Sequence, residues 1–154
     1  MFCEEVNKVT EKNLIPTGNL YTSNPDGLKN LTVTADIWQI TRGGVALPNA
    51  HVVRELSPSK VLFQKFVHNW KGKPYQDWWH KYEKNFLKEM ENEVFKKSLR
   101  SVYKELCRGK NIVLVCFCKD HRYCHRRLVG EFFQEYGVKV KELNPVLQDQ
   151  LTLF

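Results

Sequence analysis

The apolar positions change period along the chain, and the changes mark its elements. Residues 111–118, NIVLVCFC, form a short continuous apolar run, as expected of a parallel strand buried on both faces. Beyond a polar loop at Lys119–Tyr123 the period becomes helical. Leu128, Phe132 and Tyr136, with Val129 and Phe133, fall on one face, and Gly137 ends the run. Val138-Lys139-Val140-Lys141 then alternates as a strand. Together these predict a β-α-β unit with a right-handed crossover.

Upstream, Asn19–Thr22 reads as a short strand closed by the turn Asn24-Pro25-Asp26-Gly27. Leu31–Ile40, rich in β-branched and aromatic residues, reads as a second strand running into Thr41-Arg42-Gly43-Gly44. Ser57 and Pro58 suit the cap and first position of a helix whose stripe is Leu62, Phe66 and Trp70. Lys71-Gly72-Lys73-Pro74 breaks it. Helical spacing resumes from Tyr75 to Arg108, with Tyr82, Phe86 and Met90, then Phe95, Leu99, Val102 and Leu106; Glu91-Asn92-Glu93 is where it would divide in two. Pro145 onward is expected to form a short terminal helix. The expected architecture is a single three-layer-like α/β domain over 17–154, mainly parallel, with a helical middle section and the C-terminal β-α-β unit. Residues 1–16 form a polar lead-in.

Size and composition agree with this. A chain of 154 residues fits one core, and nine Phe, six Tyr and four Trp supply its large pieces. The first residues carry charges and no apolar h-region, and no window approaches a membrane span, so a cytoplasmic protein with no membrane partner is expected. Five cysteines, three of them within 116–124, do not resemble a secreted disulfide framework and read instead as thiol chemistry, metal binding or buried thiols. A net charge of +7 favours anionic partners, either small phosphorylated ligands or nucleic acid.

Candidate chemistry concentrates where the apolar strand ends. Ligands of open α/β sheets bind outside the carboxyl ends of strands. Cys116 and Cys118 lie at such an end and share a strand face, while Cys124, His125, Arg126 and Arg127 surround the first turn of the next helix, with its free N–H groups. Three functional readings are open. In one, Cys124 or Cys116 is a reactive thiolate, with Cys124 and His125 in the chemistry. Alternatively, Cys116, Cys118, Cys124 and a histidine, His121 or His125, bind zinc or iron. In the third, arginines and backbone hold a phosphorylated ligand without covalent chemistry. Cys116 and Arg122 also match the C-x5-R spacing of phosphatases, although FCKDH between them lacks glycine. Buried cysteines that merely fill the core are the plain alternative.

These residues carry a resemblance. VCFCKDHRYCHRRLVGEFF resembles the signature of the domain of unknown function 488 family, with Cys116 and Cys124-His125-Arg126 matching it residue by residue. IWQITRGG resembles the Arg-Gly turn of its YeaO-like branch, which usually reads Trp-Pro-Arg-Gly; LSPS and DWWHKYEKNFLKEM resemble the elements next in the family's order. The resemblance spans roughly 18–143. It implies the fold and the place of the site and leaves the reaction open.

The expected site is therefore an anion pocket for a nucleotide-like ligand. Cys124 and His125 act in it, Arg126, Arg42, Gly43 and Cys116 contact the ligand, and Tyr21 and Asp36 help to line it. Arg126 is expected to face solvent there and to be dispensable for folding. Trp78, Trp79 and Tyr82, among Lys73, Lys81 and Lys84, read either as core or as a stacking surface for single-stranded nucleic acid.

Overall fold

A computed structural model describes residues 15–147. Five strands form one parallel sheet: β1 (Leu20–Ser23), β2 (Asp36–Gln39), β3 (Ala50–Val52), β4 (Ile112–Val115) and β5 (Val140–Glu142), in the spatial order β3-β2-β4-β1-β5. Among the described residues, four α-helices accompany it: α1 (Lys60–Lys65), α2 (Tyr75–Glu89), α3 (Glu93–Cys107) and α4 (His125–Gln134). The single α/β domain read from the sequence is this one.

β4 is central because nothing in it tolerates water. Its four side chains, IVLV, are all fully buried, each worth about 1.5–3 kcal/mol of apolar burial. Leu20, Ile112 and Leu114 face the larger core, to which all four helices contribute. Val113 and Val115 face the other side, where Tyr21, Leu28, Leu31, Ile37, Leu47 and Leu143 pack. That second face is covered by a 3-10 turn (Asp26–Asn30) and loops, so the third layer is thin.

Several boundaries differ from expectation for local reasons. β2 begins at Asp36, because only from there does the chain reach β4; residues 31–35 run irregularly across the sheet. β3 is an addition to the expected strands, being only three residues long at an edge. The cap of α1 is Ser59, whose side chain accepts from Leu62 N at 3.1 Å, while Ser57 Oγ donates to Arg54 O. The long helical stretch does divide at 91–93: Asn92 caps α3 by accepting from Val94 N at 2.8 Å. A π-helical turn (Phe66–Trp70) links α1 to Lys71. Residues 145–147 are not helical, and the rest of the expected terminal helix, like most of the polar lead-in, lies outside the described residues. No helix among the described residues is long and apolar enough to cross a membrane.

Candidate functional site

β2 and β4 end side by side, and the loops that leave their carboxyl ends form a cleft. After β2 come Thr41, Arg42, Gly43 and Gly44; after β4 come Cys116, Phe117 and Cys118. The N-terminus of α4 brings Cys124 and His125 to the same place. Phe63, Phe66, Trp78, Tyr82 and Tyr123 wall a space of about 390 Å³, with Lys71 at its edge. Gly44 has a positive φ of 89°, and a Cβ there would lie 2.4 Å from the Phe117 ring, so the turn closes onto Phe117 only because the position is glycine.

The floor of the cleft is a thiol–imidazole cluster. His125 Nδ1 lies 3.7 Å from Cys116 Sγ and 4.0 Å from Cys124 Sγ. Its other nitrogen, Nε2, is 2.6 Å from Ile40 O. A carbonyl can only accept, so Nε2 carries a proton, and in the neutral ring Nδ1 presents a lone pair to the two sulfurs. Cys118 Sγ stands 4.0 Å from Cys116 Sγ. Contact with Cys118 alone would lower the Cys116 thiol, but contact with Cys124 and burial outweigh it and push the thiol far up. Cys118 is pushed up to about 12, first by Cys116 and then by burial. Both therefore stay protonated near neutral pH unless an acceptor or a metal takes the proton.

Arg126 corrects an expectation. It is wholly buried, its Nε and Nη2 donating to Glu142 Oε1 and Oε2 at 2.9 and 3.2 Å. Thr22 Oγ1 and Asn144 N also donate to this carboxylate, at 2.8 and 3.0 Å. Nη1 donates to Cys118 O at 2.8 Å and points at Cys124 Sγ, 3.6 Å away. An arginine on a helix that packs onto β1 and β5 cannot reach solvent through the sheet, so its charge is met internally. Sequence reasoning misses Glu142; its strand alternation with the inward Val140 is the available signal.

Arg42 lines the cleft, and its contacts differ from those of Arg126. Its Nε and Nη2 donate to Pro58 O and Arg54 O at 3.0 and 3.2 Å, and Arg54 Nη1 donates back to Arg42 O. Among the described residues no carboxylate is within ion-pairing distance of it. The positive charge is positioned and not neutralised. Gly43 lines the cleft beside it.

Tyr21 and Asp36 are not part of the cleft. Tyr21 packs on the opposite face of the sheet, since its neighbours Leu20 and Thr22 point toward the helices. Asp36 begins β2, at the far end of that strand. His121 is turned away from the thiols, its Nδ1 accepting from Val146 N at 3.3 Å. Arg122 forms a two-point pair with Asp120 at 3.0 and 2.9 Å, so the C-x5-R spacing closes no phosphate loop. Trp78 and Tyr82 are buried in the core. Lys71, Tyr123 and Phe117, which line the cleft, have no sequence signal beyond type.

In fold and site the molecule is a parallel α/β domain carrying a thiol–imidazole cluster at the carboxyl ends of its central strands. Residues 20–137 match the family described as the active DUF488-N3 subclade, and the chain belongs to the DUF488 family. No curated protein and no solved structure matches it.

Proposed function

We propose that the chain is a thiol-assisted enzyme acting on a small anionic, nucleotide-like ligand in this cleft. The observation that carries the reading is the oriented imidazole: His125, held by Ile40 O, aims Nδ1 at Cys116 and Cys124 on the cleft floor. Aromatic walls suit a planar ring, and Arg42 and Lys71 suit its phosphate. The description of the matched subclade as active agrees with chemistry at this place. Cys124 is the nucleophile. His125 Nδ1 takes the thiol proton as the sulfur bonds to an electrophilic centre of the ligand, and the group that departs with the bonding electrons takes that proton back. Buried Arg126 meets negative charge developing on Cys124. Arg126 thus serves the site from behind, and Cys116 contacts the ligand.

Iodoacetamide labelling read by intact mass tests this. Cys124 should be labelled, adenosine monophosphate should protect it, and Arg42→Ala should weaken protection about tenfold. A thiol that does not react, or that no nucleotide or phosphate protects, would end the proposal.

One observation favours a second reading. The ligand atoms of Cys116, Cys124 and His125 all lie within 4.8 Å of one another, with a carbonyl holding the far imidazole nitrogen. Such a set, with Cys118 nearby, fits zinc or iron. Protein purified without added metal would then contain nearly one equivalent, and Cys124→Ser would lose it.

A further inference from the structure

We infer that the cleft continues into a second groove that holds single-stranded nucleic acid, so that the ligand on the cleft floor is a nucleotide within a strand. The inference rests on the nucleotide reading of the cleft and extends it to the size of the substrate.

The groove, about 560 Å³, shares Phe66, Lys71, Trp78, Cys118 and Tyr123 with the cleft and runs outward past Lys73, Tyr75 and Lys119. Its character changes on the way. The cleft is walled mainly by aromatic and apolar groups; the groove presents three exposed lysines, Lys71, Lys73 and Lys119, none of which has a carboxylate within ion-pairing distance among the described residues. The groove's acid, Asp120, is already engaged: Arg122 holds both its oxygens, at 3.0 and 2.9 Å. The lining thus carries three lysines against one acid that an arginine already pairs.

Stacking surface accompanies the charge. Tyr75 lies on Tyr123 with ring centroids 4.0 Å apart and planes 9° apart, and it remains 40% exposed. That two-ring pile can be extended by a base, a contact indifferent to sequence because every base has a π face. The backbone between Lys71 and Lys73 turns at Gly72, whose φ is +85° and where nothing lies within 4 Å of an added Cβ, so the lysines flank an open turn. Lysines spaced along a groove, with rings between them, match a chain of phosphates and bases. A free mononucleotide fills the cleft and leaves this groove unused.

The test is fluorescence anisotropy with a labelled 12-residue oligonucleotide of mixed sequence, beside adenosine monophosphate protection of Cys124. The oligonucleotide should bind more tightly than the mononucleotide, with a log–log salt slope of about −2 if three phosphates are met. Lys73→Glu with Lys119→Glu should weaken the oligonucleotide at least tenfold and leave mononucleotide protection unchanged. Tyr75→Ala should weaken it about five- to hundredfold. Three outcomes overturn the inference while sparing the cleft reading: an oligonucleotide no tighter than the mononucleotide, indifference to both sets of variants, or equal binding of a polyglutamate peptide of the same charge. Oligonucleotide binding that depends on Lys73 and Lys119, without mononucleotide protection, keeps the groove and overturns the reading of the cleft.

Discussion

The floor and the rim of the cleft use the same residue types to opposite ends. Beneath the floor, Arg126 is fully buried and its guanidinium is met by Glu142, the Cys118 carbonyl and the Cys124 sulfur. On the rim, Arg42 is held by two carbonyls and, among the described residues, by no acid, and Lys71 stands exposed. A buried charge must be paired for the chain to fold, so the floor is part of the structure's stability. A charge at the rim stays hydrated when nothing is bound, and its attraction is available to a ligand. The contrast separates what holds the site from what it holds.

Removing the floor's cation should have the largest effect. Arg126→Ala strands the Glu142 carboxylate and should cost about 3–5 kcal/mol, a fall in Tm on the order of 10 °C for a chain of this size. A Tm within a degree of the parent would show that the floor is no more structural than the rim. Gly44→Ala is next. The strained φ and the Phe117 clash should cost about 1–3 kcal/mol in denaturant melts, and an unchanged midpoint would mean that the turn does not press on Phe117.

The thiols sharpen the contrast by pH. Cys116 and Cys118 titrate higher when folded than in the unfolded chain, so the stability tied to them is complete below the unfolded thiol value, about 8.5. It is lost as pH rises from there toward their folded values, about 12 for Cys118. The slope is at most about 1.4 kcal/mol per pH unit for each thiol. Metal-free protein should lose Tm from about pH 8.5 to 10, and Cys118→Ser should flatten the loss; a Tm that holds steady over that range would show that folding does not keep these thiols protonated. The smallest effect belongs to the rim. Arg42→Ala forfeits partly exposed hydrogen bonds, about 1 kcal/mol or less, and its Tm should barely move while nucleotide protection weakens. A large Tm loss there would make Arg42 structural too.

Much of this can be read from the sequence, and its limits are physical. The run Ile112–Val115 reads as a buried strand, and the stripe of Leu128, Val129 and Phe133 orients α4 toward the core. Once those two elements are placed, Cys116, Cys124 and His125 must meet near the strand's end, since a few residues connect them. That Cys124-His125-Arg126 opens a helix is equally local. What the local pattern cannot carry is the identity of partners far away in the chain. Arg126 is expected in solvent because Glu142 is sixteen residues distant and reaches it only when β5 pairs with β1. Tyr21 is expected in the cleft because the sequence does not say which face of β1 looks at the helices. The tautomer of His125 depends on Ile40 O, eighty-five residues away, brought there by the pairing of β2 with β4. Periodicity and turn chemistry act over a few residues and so determined most of the elements and the place of the thiol–imidazole cluster. The state of each charged group is set by strand order and facing, which exist only when the whole sheet has closed around its core.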